Sequence, residues 1–473
     1  MSLYRNIGWS MINIIGIQFI GLLFSIVLAR IMYPEIFGLL GMAMVFMGLV
    51  VVLQEAGISS YLIYVEKISS KLKTTSFVTN ISFSIILCVI LNIIANSIAE
   101  FYGQKEVELL IRYVSIGIFI SSFGIVNKTL LTRNKQFKTI TKIEIIAEII
   151  TGIVSVLLAI NGQELLAISS RFLVRPIIVT ILFVMNNPRG LIGKFYVSEF
   201  KILFPYSISV LNSKIFLYVV NNLDYFIIGR LLGSFDLGLY TIAFQWSVIA
   251  RNYIAGAVSR VLFPEFSTNR ENRSHVKEMF LHVTKNISFV AFPLCLGLAT
   301  LSYEFMYLFY GGNWINASAP LSILLITGMI TAIGNTFSPI FLGLGKPRIE
   351  LSINIISALL MCLLLIVSAK YGLVILCFAV LVHSLIIESI RMHFAFKLIE
   401  CKVSMFIRSL TSNLLCSLLM IVGVITVKAL THEWSMVISF ILSIVTGIIL
   451  YVLISIVFNK KTTMNLINNI RSR

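Results

Sequence analysis

A chain of 473 residues that is 58% hydrophobic and only 12% charged does not suit a soluble fold, in which about a quarter of residues carry charge. No single aqueous core of this length buries so much apolar side chain, so the solvent for most of it must be lipid. The net charge of +17 does not indicate nucleic-acid binding, because Lys and Arg fall in short segments between apolar runs and not on one face or in a tail.

The N-terminal MSLYRNIGWS leads straight into a long apolar run with no short hydrophobic region and small-residue cleavage site after it, so a retained first helix is expected. A membrane helix needs about 20 mostly apolar residues, because ~30 Å of hydrocarbon is crossed at 1.5 Å per residue. Such runs fall at 8–30, 36–58, 76–98, 107–127, 143–160, 164–186, 203–229, 236–262, 283–307, 317–342, 349–368, 371–392, 405–427 and 435–458. The fold class expected is therefore all-α and polytopic, with about fourteen transmembrane helices. The turns at Asn161-Gly162 and Lys370-Tyr371-Gly372 are tight hairpins, so counts of twelve or thirteen stay open. His275 and His282 are expected in a polar loop before the ninth span.

Charge alternation tests the count, since cytoplasmic loops collect Lys and Arg. With the N-terminus inside, the cytoplasmic segments hold 27 of the 37 Lys and Arg residues, and the outer connections hold Arg30, Lys105, Arg230, Lys370 and Lys428. A wrong span count would scramble that pattern. Both termini are expected in the cytoplasm. The longest outer connection, around Tyr303 to Ser318, has no Lys or Arg, and no soluble domain hangs on either face.

Shifting the chain by 200 residues lays LARIMYPEIFGLLGMA (28–43) on IGRLLGSFDLGLYTIA (228–243). Arg30 meets Arg230, Gly38 meets Gly238, and Glu35 and Asp236 lie in equivalent turns. A weaker echo pairs LLTRNKQFK (130–138) with FLGLGKPRI (341–349). Six helices separate the copies, an even number, so the repeat is parallel with its axis along the membrane normal. The expected organisation is a six-helix lobe over 1–190, a second over 191–400, and two further helices with a tail over 401–473. Transporters with such repeats bind substrate near the midplane.

Charges inside the membrane are costly and are candidates for function. Arg171 and Arg175 begin about 10 and 16 Å into the sixth span and, four residues apart, share a face; Pro176 follows and can kink the helix. Two readings stand: the pair lines a wet, anion-attracting cavity, or it pairs with carboxylates elsewhere or snorkels. The seventh span carries Lys214 on a stripe with Ser207, Tyr218, Asn221 and Tyr225, which reads as a cavity lining or as interhelical hydrogen bonding. Asp224 lies off that stripe as a partner for Arg230 or another cation, or as a protonatable group. The eighth span carries Arg251, with Gln245 and Asn252 on one side. Glu55, Glu144, Glu148 and Glu388 lie in the cytoplasmic halves of their helices, as partners of basic loops or as a gate. The interior is biased positive, so a phosphate or carboxylate is the natural ligand. The cationic cavity is assigned to Arg171, Arg175, Lys214, Arg251, Arg30 and Arg230, its polar lining to Tyr218, Asn221, Tyr225, Gln245 and Asn252, and ion coupling or gating to Asp224 and Glu55.

Catalytic and metal signals are missing. The six cysteines form no C-x-x-C pair, no H-E-x-x-H occurs, and there is no Walker A loop, G-x-S-x-G or kinase set. No cofactor, no metal and no enzymatic activity are expected.

The stretch LARIMYPEIFGLLGMA, then LQEAGISSYLI, LLTRNKQFK and NNLDYFIIGRLLGSFDLGLYTIA resemble the polysaccharide transporter family, the Wzx-type flippases. FLGLGKPR is shared more widely across the multidrug/oligosaccharidyl-lipid/polysaccharide exporter superfamily. The resemblance covers essentially the whole chain. It implies two six-helix lobes in a V with two extra C-terminal helices. The implied substrate is an undecaprenyl-diphosphate-linked oligosaccharide, moved from the cytoplasmic to the outer leaflet of a bacterial inner membrane by alternating access. Partners implied are the lipid-linked glycan, membrane lipids, and a glycan polymerase with other assembly proteins. A cation-coupled drug or metabolite exporter of the same superfamily is the alternative, although it would favour carboxylates at mid-depth. A membrane glycan polymerase or ligase would need a large outer loop, and every outer loop here is short.

Overall fold

The structure, a computed structural model, describes residues 3–186, 193–249 and 256–459. Two compact units divide the chain, Met1–Gly238 and Leu239–Arg473. The first holds α1 (Leu3–Ile31), α2 (Pro34–Ala56), α3 (Ile58–Tyr64), α4 (Ser70–Tyr102), α5 (Glu106–Arg133), α6 (Phe137–Ile160), α7 (Glu164–Asn186), α8 (Val197–Asn221), α9 (Leu223–Leu231) and the start of α10 (Gly233–Ile249). The second holds the rest of α10, α11 (Gly256–Thr268), α12 (Arg273–Thr300), α13 (Ser302–Phe305), α14 (Ser318–Gly334), α15 (Ser338–Gly343), α16 (Pro347–Ala369), α17 (Leu373–Ile399), α18 (Val403–Leu430) and α19 (Met436–Phe458).

This is an all-α, multi-pass membrane protein. Among the described residues, 12 helical stretches are long and apolar enough to cross a bilayer, and each overlaps one of the expected runs. Fourteen are not shown. The run expected over 203–229 is interrupted at Asn222, where α8 gives way to α9, and its polar stripe lowers the apolar character of α8. The run over 236–262 includes residues 250–255, which lie outside the described ones. The doubtful hairpins are true turns: α6 and α7 are joined through Gly162 at φ +74°, and α16 and α17 through Gly372 at φ +88°. That left-handed conformation carries no steric cost for glycine.

Several helices run past the hydrocarbon at the basic ends. The helix α4 starts at Ser70 because Ser69 caps it, accepting from Leu72 N at 2.9 Å. Similarly, Asn272 caps α12 by accepting from His275 N at 3.1 Å. His275 and His282 therefore lie on α12 and not in a loop. Side-chain caps satisfy helix N–H groups that otherwise need water.

Lipid inverts the usual distribution of side chains. Ile93 and Leu359 stand outward at 73% and 69% exposure, while Asn80, Asn127 and Asn413 are fully buried at 0%. The buried amides join helices. Asn80 Nδ2 donates to Ser122 O at 2.9 Å, and Gln54 Nε2 to Ser84 Oγ at 2.6 Å and Ile118 O at 2.9 Å. In the second unit Asn413 Nδ2 donates to Ser288 Oγ at 2.6 Å and Lys285 O at 2.8 Å, and Tyr451 OH to Phe289 O at 2.6 Å. With hydrocarbon outside, such bonds and close packing hold helices together in place of a hydrophobic drive.

The two faces of the first unit differ in charge. On one, Arg133 clamps the end of α3, donating to Leu62 O at 2.7 Å, Glu66 O at 2.6 Å and Val65 O. Nearby, Tyr196 N donates to Thr75 Oγ1 at 3.1 Å. This face carries Lys67, Lys71, Lys73, Lys135, Lys194 and Lys201. The opposite face holds a cavity of about 650 Å³ lined by Glu35, Gln104, Glu106, Gln163 and Glu164.

Two helix starts meet on that acidic face. A Cβ on Gly38 of α2 would lie 2.8 Å from Ser234 Cα, and one on Gly238 of α10 would lie 2.6 Å from the carbonyl carbon of Pro34. Alanine favours an exposed helix by about 1 kcal/mol over glycine, but here it must displace backbone. Gly38→Ala is expected to lower the melting temperature in detergent, whereas Gly8→Ala, which meets nothing within 4 Å, should hold or raise it. Equal shifts for the two would refute the close approach.

Candidate functional site

Arg171 and Arg175 do share a face, and both turn to one carboxylate. Glu148 of α6 accepts from Arg171 Nη2 at 3.4 Å and from Arg175 Nε at 2.9 Å. Its side chain is only 8% exposed, while the guanidiniums are 41% and 30% exposed. One turn earlier on α6, Glu144 takes Lys128 Nζ at 3.1 Å and Asn13 Nδ2 of α1 at 2.9 Å. Three cations therefore face these two carboxylates. Gly21 of α1 leaves room for it: a Cβ there would lie 3.4 Å from Glu148 Oε1 and 3.8 Å from Arg171 Nη2.

The helix that presents the arginines is shaped by Pro176. Proline has no N–H to return to the carbonyl four residues back, which is that of Phe172. Gly117 of α5 packs directly on that carbonyl, and a Cβ on it would also meet Pro176 Cγ at 3.4 Å. The absence of a side chain lets α5 approach the weakened point of α7.

The stripe on α8 divides. Tyr218 is used between helices: its hydroxyl donates to Val45 O of α2 at 2.7 Å. Its ring lies over Gly48, where a Cβ would be 2.8 Å from Cε2 and Cζ. Lys214 is exposed and makes no ion pair with a described residue. Asn221 is exposed and Tyr225 half-buried. Asp224 is 4% exposed in the first turn of α9 and accepts from Tyr225 N at 2.9 Å. Arg230 lies with its guanidinium 5.2 Å from the centroid of Phe101, which stacks on Phe226 at 4.6 Å. Arg30 is exposed in the last turn of α1, and Gln245 is half-buried on α10. Arg251 and Asn252 lie outside the described residues, as does the side chain of Glu55.

Of a second cluster, in the other unit, the sequence singles out Glu388 alone. Arg391 of α17 meets Glu388 at 3.1 Å, Glu350 of α16 at 3.6 Å and Asn354 Oδ1 at 2.8 Å. The i,i+3 spacing of Glu388 and Arg391 is a visible signal, but nothing in the spacing shows that α16 supplies a second acid. At the far end of α18, Lys428 Nζ meets Glu304 at 2.5 Å.

The family described as "Polysaccharide biosynthesis protein" matches residues 27–319, more than half of the chain. This chain belongs to that family. The resemblance read from LARIMYPEIFGLLGMA and LLTRNKQFK is borne out at that level. Among relatives, the teichuronic acid biosynthesis protein TuaB of Bacillus subtilis (strain 168) is 27% identical over 62% of this chain and 61% of its own length, so the match spans under two thirds of that protein. The succinoglycan biosynthesis transport protein ExoT of Rhizobium meliloti (strain 1021) is 25% identical over 72% of this chain and 69% of its own. A solved structure of the lipid II flippase MurJ, in an inward closed conformation, superposes with a TM-score of 0.77 at 18% identity. It covers 96% of this chain and 99% of that one, which establishes a shared fold.

Removing the shared carboxylate leaves two guanidiniums facing each other without their acid. Because both are partly exposed, Glu148→Gln is expected to cost about 2 kcal/mol, toward the low end for a broken charge pair. Thermal unfolding checks this, and adding Arg171→Gln should recover part of the loss. An unchanged melting temperature would remove Glu148 from its place as the anchor of the cluster.

Proposed function

We propose that the protein is a flippase that moves an undecaprenyl-diphosphate-linked oligosaccharide, the repeat unit of an O-antigen, capsule or exopolysaccharide, from the inner to the outer leaflet by alternating access. The observation that carries this reading is the cluster on α6 and α7. Two partly exposed guanidiniums share one buried carboxylate within an otherwise apolar group of helices. A diphosphate is the group that such a pair recognises, because Arg offers fork-like donors and never loses its charge. Lys214, exposed on α8, supplies a further cation. ExoT, whose name describes succinoglycan transport, supports transport as the activity.

The excess of lysine on one face of the first unit supports placing that face, and both termini, in the cytoplasm. The meeting of α2 and α10 supports the parallel repeat. Gly38 contacts Ser234, and Pro34 contacts Gly238; under the 200-residue shift each contact is the counterpart of the other. Reciprocity of that kind is produced by a two-fold axis. The lobes proposed are 1–190 and 191–400, followed by two helices.

Arg171→Ala combined with Arg175→Ala, or Lys214→Ala alone, is expected to abolish glycan export while leaving the protein in the membrane. The readout is surface glycan by immunoblot beside the amount of membrane-inserted protein. Full export by well-inserted variants would sink the assignment. For topology, alkaline phosphatase fused after Gln136 should be inactive, and fused after Gly162 active. The reverse pattern would invert the proposed orientation.

A further inference from the structure

The first unit contains an apolar groove of about 450 Å³ between the α2–α3 break, α4 and α8. Its deeper walls are Phe83 and Ile86 of α4 and Phe204, Ile208 and Leu211 of α8. From Phe200 to Leu211 the lining of α8 runs about 16 Å, close to the ~15 Å of hydrocarbon in one leaflet. The groove opens toward the lysine-rich face.

Its chemistry changes along that length. At the mouth, the segment before α8 lies over the first turns of α4. Tyr196 N bonds Thr75 Oγ1 at 3.1 Å, and Lys71 Nζ lies 5.4 Å from the Tyr196 ring centroid. Lys194 and Lys201 flank Phe195 and Phe200, which line the groove. The carboxylate among them, Glu199, is engaged by Ser69 Oγ at 3.2 Å. About two turns beyond Phe200 stands Ser207, 9% exposed and lining the groove, whose hydroxyl has no hydrogen-bond partner among the described residues. It reaches the helix break, where a Cβ on Gly57 would lie 2.7 Å from Ser207 Cβ. A buried hydroxyl without an acceptor is costly, so the site is complete only when something supplies one.

We infer that this groove binds an anionic diacyl glycerophospholipid of the leaflet at the lysine-rich face. The phosphate sits among Lys71, Lys194 and Lys201, an ester carbonyl accepts from the Ser207 hydroxyl, and one acyl chain fills the apolar end. The order of phosphate, ester and chain with depth matches the order of lysines, serine and aromatic wall. A polyprenyl diphosphate fits less well, because its phosphate joins the hydrocarbon with no carbonyl between them and its chain is much longer than the groove. Basic pockets between membrane helices commonly hold anionic headgroups.

The test titrates the purified full-length protein in detergent with defined lipids and counts bound lipid by native mass spectrometry. Ester-linked phosphatidylglycerol should bind at least about tenfold more tightly than phosphatidylcholine, because lysines at the headgroup attract an anionic lipid. It should also bind more tightly than its ether-linked analogue. Ser207→Ala is expected to erase the ester-over-ether preference and leave the headgroup preference, a split that a purely structural serine would not produce. Thr79→Phe, which fills the groove from α4, should abolish the phosphatidylglycerol adduct in protein that elutes as a single species. Equal binding of the three lipids to the unaltered protein overturns the inference without any variant. So does displacement of phosphatidylglycerol by undecaprenyl phosphate at equal concentration, which would assign the groove to a prenyl chain.

Discussion

Hydrocarbon offers no hydrogen bonds, and almost every feature of this protein follows from that. Backbone groups must be satisfied within helices, so the chain is helical wherever it spans. Where a helix breaks, another group must replace water. At the end of α3 that group is Arg133, whose guanidinium gathers the carbonyls of residues 62, 65 and 66. At the Pro176 irregularity of α7, the helix α5 presents Gly117. The same constraint turns the packing inside out, placing Asn80, Asn127 and Asn413 in the interior and leucine and isoleucine on the outside.

Charge can persist in such a medium only if it is shared. Glu148 serves two arginines, and Arg391 serves two glutamates. In each case one charge is divided between two partners. Under the proposed function the arginine pair serves an anionic cargo, because a guanidinium already held in place by Glu148 loses little freedom on meeting a phosphate. Its partial exposure keeps it available for that contact.

The spans were legible because about 20 apolar residues in a row have few other uses, and twelve of those expected are found. The two that are not found carry the polar stripe of α8 and the segment around residue 250, the places where the hydropathy signal was weakest. Helical periodicity placed Arg171 and Arg175 on one face correctly. It could not show that Glu148, 23 and 27 residues away, lies opposite, since no local pattern sets how two helices approach. Tyr218 shows the same limit. Its stripe was visible, but what the stripe meets was not, and its hydroxyl is bonded to α2. The acids of α6 are legible as partners of basic loops or as a gate, and Glu144 meets Lys128 within α5.

The three-residue turns at Gly162 and Gly372 have a further consequence for biogenesis. Glu148, Arg171 and Arg175 belong to the single hairpin α6–α7, and Glu350, Glu388 and Arg391 to the single hairpin α16–α17. Each cluster can thus form as soon as its own two helices leave the insertion machinery, before any other helix arrives. Opposite charges enter the lipid already joined, so the translocation cost of a bare ion is avoided. Lys428 and Glu304, which lie on α18 and the distant α13, lack this arrangement and must wait for the second unit to assemble.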